Sequence, residues 1–170
     1  VSGDALFHLR NIMLWGLVAT VGMTTILQGS QGLGLSRLSL PFLLGTLFTA
    51  DRRRANIVGF ALYTLGGWAF AALYYLLFVT LDKVASWWLG AAFGGLHGLF
   101  LLAVVLPMLP SVHPRMASEH DGPTARRRIE PPGFLGLNYG RRTAVTTLLG
   151  QLVYGAILGA AYSLHLGMQE

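Results

Sequence analysis

The sequence predicts an all-α, polytopic membrane protein with four transmembrane helices arranged as two parallel helix-pair repeats. Three observations carry that prediction. Only 11% of the 170 residues are charged while 54% are hydrophobic, with mean hydropathy +0.57; soluble domains carry about 25% charged residues. Apolar runs of spanning length, about 20 residues, recur four times. The cations collect between those runs rather than within them.

The chain is read as one membrane domain over residues 1–170. The first span, about 11–29, is "NIMLWGLVATVGMTTILQG". Thr20, Thr24 and Gln28 fall on one stripe of it at four-residue spacing. A loop, 30–56, carries Arg37 and the run Arg52, Arg53, Arg54, and includes "SRLSLPFLLGTLF", too short to span. The second span, about 57–80, puts Tyr63, Gly67, Ala71 and Tyr74 near one face. A short turn, 81–86, holds Lys83.

The third span, about 87–109, has Gly90, Gly94 and Gly98 at four-residue spacing, a pattern that lets helix backbones approach where lipid removes the hydrophobic drive. His97 lies beside them near mid-bilayer, and its spacing predicts that it shares the close-packing face. The second long loop, 110–142, contains the longest polar stretch, "HPRMASEHDGPTARRRIEPPG", and the short apolar "PPGFLGLNYG". The fourth span, about 143–166, places Gln151, Gly155, Gly159 and Tyr162 along one face, with Tyr154 beside them. The short apolar pieces of both loops are expected to be interfacial or re-entrant.

Ten of the 12 cationic residues lie in the two long loops, against Arg10 and Lys83 on the other side. The positive-inside rule therefore predicts that both loops face the cytoplasm and both termini the periplasm of a bacterial inner membrane. With a formal charge of +5 for the chain and most of its cations in these loops, the expected partner is anionic lipid, not nucleic acid. Arg126, Arg127 and Arg128, with Arg52–Arg54, are the residues expected to meet lipid phosphates or a docking protein. The absence of cysteine excludes disulfides and thiolate metal sites. No small-x-small site closes the first apolar run, so no cleavable leader is expected.

An internal repeat is visible in outline. "GLVATVGM" (16–23) falls on "GLHGLFLL" (95–102), "PFLLG" (41–45) on "PGFLG" (132–136), and "GWAFAALY" (67–74) on "GAILGAAY" (155–162). The second half carries about a dozen extra residues, which fall inside the polar stretch.

Candidate chemistry centres on His97, because an ionisable residue inside the membrane is a functional hypothesis by default. Three readings stand: a neutral histidine hydrogen-bonded across the bundle, a haem or chlorophyll ligand with room beside the glycines, or part of a polar path. Such a path would use Thr20, Thr24, Gln151, Tyr154 and Tyr162. The bland reading of those groups is hydrogen bonding between helices, worth about a kcal/mol each. A bis-histidine haem needs a second imidazole at similar depth. His8 and His165 sit near the outer surface, and His113 and His120 in a loop. His113, Met116, Glu119, His120 and Asp121 match no tight metal motif, and no metal site is expected. Catalytic and nucleotide-binding motifs are also missing.

The stretches "GLVATVGMTTIL", "LLGTLF", "GLHGLFLLAVVLPMLP" and "LVYGAILGAAYSLH" resemble a set of uncharacterised bacterial four-helix integral-membrane proteins classed as a domain of unknown function. The resemblance implies the fold and a bacterial membrane location, and supplies no activity. The function expected is a non-catalytic accessory or structural subunit of a larger membrane complex with other membrane-protein subunits, such as an electron-transfer assembly. The alternatives are a small transporter or channel around His97 and a pigment- or haem-binding subunit.

Overall fold

Local signals in the chain start and stop each helix of the computed structural model, which describes residues 3–81 and 85–166. Lys83 lies outside the described residues, as does the side chain of His165. The first helix, α1 (Gly3–Gly32), ends where Gly34 adopts a left-handed conformation and Leu35 N–H closes back on the Ser30 carbonyl at 2.9 Å, a glycine-terminated cap. A short helix, α2 (Leu40–Thr46), begins on Ser39, whose hydroxyl accepts from Phe42 N–H, with Pro41 in the first turn. Asp51 opens α3 (Arg52–Thr80) by accepting from Arg54 N–H at 2.8 Å. The same carboxylate sits where three arginines would otherwise oppose the helix dipole.

Ser86 caps α4 (Trp87–Phe100). A π turn (Leu101–Val105) and α5 (Leu106–Val112) continue the same span. The widened turn has a visible cause. Pro107 has no N–H and its ring collides with the carbonyl four residues back, so Leu106 N–H reaches Leu101 instead, five residues away. A 3₁₀ turn (Phe134–Tyr139) then leads to α6 (Thr143–Leu166).

Among the described residues, four helices are long and apolar enough to cross a membrane: Ala5–Gly32, Arg52–Thr80, Trp87–Val112 and Thr143–Leu164. No strand occurs among the described residues. The all-α, four-helix membrane architecture expected from composition is the one observed. The spans run longer than expected at α1, at α3, whose first turn takes in Arg52, Arg53 and Arg54 from the expected loop, and at the α4–α5 unit. Leu96 and Val145 are 66% exposed and Phe100 56%. Apolar side chains so open to their surroundings fit lipid as solvent.

Packing places α6 at the centre, half of its spanning window buried against 28% for each of the other three. Gly90 and Gly94 of α4 lie directly on Gly155, Gly159 and the Gln151 backbone of α6; a Cβ at Gly90 or Gly155 would fall inside the other helix's backbone. On the opposite side Gly22 of α1 packs on Ile157, and Gly150 on Met23 and Leu27. Gly16 of α1 meets Ala71 and Trp68 of α3, and Gly67 meets Thr20.

These contacts correct the register of the internal match. Ala71 faces Gly16, and Gly159 faces Gly90, so the residue of α4 in the position of Gly16 is Gly90. The sequence match had put Gly95 there, five residues later. Glycine-rich apolar helices match at several registers, and only the contact partner separates them. The loop elements also part company. "PFLLG" is a regular helical turn seated on α3, where Gly45 touches Ala55 and Gly59 touches Pro41. "PGFLG" is a 3₁₀ turn with Leu135 and Gly136 at positive φ, 56° and 70°, a conformation that costs a non-glycine residue about 1 kcal/mol or more.

Candidate functional site

The helices α3 and α4 are not pressed together backbone to backbone, and a cleft lies between them near mid-span. Toward the terminal end, aromatic side chains bridge them. Tyr74 stands edge-on to Phe93 at 5.9 Å and Phe78 lies 5.4 Å from Phe93. The last bridge is Phe70 on His97, with ring centroids 4.0 Å apart and planes tilted by 32°. Beyond it, toward the loops, no side chain closes the gap, and a cleft of about 220 Å³ opens.

Leu62, Tyr63, Gly66 and Phe70 form one wall; His97, Leu101, Val105 and Leu109 form the other. The leucines of α2 floor it, with His113 beneath, while Gln151 and Tyr154 of α6 close the back. The mouth is edged by half-buried Leu62, Gly66, Leu101 and Val105. Gly66 has no neighbour within 4 Å of where a Cβ would lie, so its missing side chain is part of the space.

Three lining residues carry an enclosed polar atom without a hydrogen bond: the Tyr63 hydroxyl, His97 Nδ1 and Gln151 Oε1, and Gln151 is only 3% exposed. A buried polar atom left unpaired costs about 1–3 kcal/mol, so native folds rarely keep three in one region.

The remaining polar residues predicted from sequence do not form a path. Thr20 donates to the Gly16 carbonyl at 2.7 Å and Thr24 to the Thr20 carbonyl at 2.6 Å, each within its own helix. Gln28 is exposed. Tyr154 and Tyr162 cross from α6 to α3, donating to the carbonyls of Gly67 (2.6 Å) and Ala71 (3.1 Å). His97 also departs from expectation. The glycine face is filled by α6, Gly94 against Gln151 and Gly98 against Leu148 and Gln151, so it leaves no space for a macrocycle. The imidazole instead turns toward α3, one helical position off the glycine seam.

The loop end has its own geometry. Arg52, Arg53 and Arg54 are exposed, as are Arg126 and Arg128, while Arg127 is half-buried. A broad groove of about 760 Å³ runs between Phe42, Thr46 and Ala50 on one side and Arg115, Arg126 and Arg128 on the other. Arg52–Arg54 do not line it. Among the described residues no cluster of three His, Asp or Glu side chains could hold a metal.

Sequence reasoning missed how this loop is fastened. His113 has no solvent exposure. Its Nδ1 accepts from Arg115 N–H at 3.1 Å, which leaves Nε2 to donate to the Leu43 carbonyl at 3.1 Å, with Thr46 Oγ1 at 3.2 Å. Burial holds its pKa below the ordinary histidine value, and Arg115 and Arg127 add to that. Arg115 donates to the carbonyls of Thr46 (2.6 Å) and Leu47 (3.0 Å), capping the negative end of α2.

Nearby, Arg37 pairs with Glu130 at 2.9 Å and reaches the Asn138 carbonyl. The Tyr139 hydroxyl donates to the Glu130 carbonyl at 2.5 Å. Burial, with Glu130 beside it, pushes the Tyr139 pKa up to about 12. The only early signal was Pro114 after His113, which forces an extended residue there.

No family model, no curated protein and no solved structure matches the chain.

Proposed function

We propose that this protein is a non-catalytic subunit of the bacterial inner membrane that holds a small apolar molecule in the cleft between α3 and α4. The observation that carries the reading is the cleft itself, an apolar space with the polar residues Tyr63, His97 and Gln151 in its lining. Binding sites for small molecules combine such apolar walls with a few convergent polar groups. A transporter reading loses support because the threonines bond to their own helices and the tyrosines tie helices together. A haem or chlorophyll reading loses the glycine face on which it depended.

Membership of a larger membrane assembly, such as an electron-transfer complex, remains part of the proposal. It rests on the loop end, where Arg126 and Arg128 stand exposed along a groove fixed by His113 and Arg115. On the positive-inside argument this end faces the cytoplasm, where lipid phosphates or another subunit would meet it. Native mass spectrometry of protein released from mild detergent tests the ligand reading. One small non-phospholipid molecule per chain is expected; a bare chain, or phospholipid adducts alone, contradicts it.

A further inference from the structure

We infer that the groove between α2 and the polar loop seats the headgroup of one anionic phospholipid, its phosphate held by Arg115, Arg126 and Arg128. This rests on the loop-end part of the reading above and is independent of the cleft.

Charge sets the class of head. Three arginines line the groove and no carboxylate does. Arg126 and Arg128 enter no ion pair, since the one ion pair among the described residues joins Arg37 to Glu130. A choline or ethanolamine ammonium would meet cations there and no counter-charge. A phosphate on an otherwise uncharged head meets three guanidiniums.

Arg115 gives the site a fixed donor. Its half-buried guanidinium spends Nη1 on the carbonyls of Thr46 and Leu47. A guanidinium has five N–H groups, and the edge formed by Nε and Nη2 has no partner among the described residues. That fork suits a phosphate in two parallel bonds. The backbone around it is tied as well. Ile129 N–H donates to the Arg115 carbonyl at 3.0 Å and Ala117 N–H to the Ile129 carbonyl at 2.8 Å. The segment carrying Arg128 therefore runs alongside the one carrying Arg115. Next to Arg126 the chain is closed by Thr124 N–H on the Arg127 carbonyl at 2.9 Å and Arg127 N–H on the Thr124 hydroxyl at 3.1 Å. A backbone ordered in advance lowers the cost of binding.

Depth favours a lipid over an acidic protein surface. One wall ends at Ala50, two residues before the α3 span starts, and the other begins at Pro114, two residues after the α4–α5 span ends. The groove thus opens where hydrocarbon gives way to phosphates. Phe48 and Val112, close to those walls along the chain, are 65% and 63% exposed, a setting that suits acyl chains. Phe42, Pro114, Ala125 and Ile129 add apolar lining between the arginines. At about 760 Å³ the space falls in the range, about 300–1,000 Å³, that takes a drug-sized molecule, so a whole glycerophosphoglycerol head fits.

Native mass spectrometry tests this on the full chain released from mixed micelles with equal amounts of dioleoylphosphatidylglycerol and dioleoylphosphatidylcholine. One phosphatidylglycerol per chain is expected to be retained, in about tenfold preference over phosphatidylcholine. Arg126→Gln with Arg128→Gln, both exposed positions, is expected to erase that preference. Arg52→Gln with Arg53→Gln and Arg54→Gln removes three charges rather than two, all outside the groove, and is expected to keep it. Circular dichroism checks that both variants fold.

Equal retention of the two lipids by the wild type overturns the site. So does an unchanged preference in the Arg126 and Arg128 variant, the result if the groove instead docks an acidic protein. Equal losses in both variants would reduce it to unspecific attraction and overturn it too. Displacement of the lipid by sn-glycerol 3-phosphate at equal concentration would assign the groove to a soluble phosphate ester, again overturning it. A chain that keeps phosphatidylglycerol through Arg126 and Arg128 but carries no small molecule upholds this site while the cleft reading falls.

Discussion

His113 shows how much one side chain can fix. It links the start of the polar loop to two residues of α2, and through Arg115 the same turn caps that helix. His113→Ala would leave the Leu43 carbonyl and Arg115 N–H to find other partners, at about 1–3 kcal/mol. Denaturant unfolding in mixed micelles measures it. The sign of the pH dependence is also set. Burial lowers the folded pKa below the ordinary 6.5, so the contribution is complete above pH 6.5 and declines as pH falls toward the lowered value. Acidification from neutral should therefore loosen the wild-type loop, read as lower hydrogen-exchange protection factors over residues 113–129, after correction for the slower intrinsic exchange. A His113→Ala protein should show less of that change.

Tyr154 supplies a second test at this scale. Its bond to Gly67 is one of two that bind α6 to α3, and Tyr154→Phe should cost about 1 kcal/mol with the fold intact. Both residues were nameable from sequence, but neither role was legible there. Tyr154 stood on a presumed polar path, and His113 among metal candidates. Which atom bonds which carbonyl depends on the α2–loop and α3–α6 contacts, and those join residues 70 and 87 positions apart.

Between elements, glycine spacing foretold contact but not its partner. Gly90, Gly94, Gly155 and Gly159 form a single seam in which backbone meets backbone. Gly90→Leu or Gly155→Leu must drive α4 from α6. Loss of folded, monodisperse protein on size-exclusion chromatography is expected. Gly66→Leu, with nothing within 4 Å of its Cβ position, should be recovered folded at wild-type yield. Sequence alone ranks these glycines together, because spacing says which residues share a face and not what the face meets. The π turn was equally invisible as an element, although its cause, Pro107, lay in plain view. The expected span, about 87–109, includes Pro107, and the structure carries the helix on to Val112 with one widened turn.

For the whole molecule, the four-helix class was readable from composition and run length, since a chain with so few charges and four long apolar helices has one natural solvent. The proposed orientation rests on the arginines and can be tested directly because the chain has no cysteine. Ser118→Cys in the polar loop should react with a membrane-impermeant maleimide only in inside-out vesicles, while Ser163→Cys near the end of α6 should react in right-side-out ones. The reverse pattern would invert the topology. The cleft was the part least open to sequence reasoning. It arises because α3 is drawn to α1 and α6 while α4 is held on the far side of α6, a consequence of three seams at once.

The most direct test of the central claim compares wild type with Gly66→Phe, both purified from native membranes, by solvent extraction and mass spectrometry of the bound small molecules. A near-stoichiometric apolar compound in the wild type that is missing from the folded variant is the result predicted. The same compound at equal occupancy in both proteins, or none in either, would contradict it.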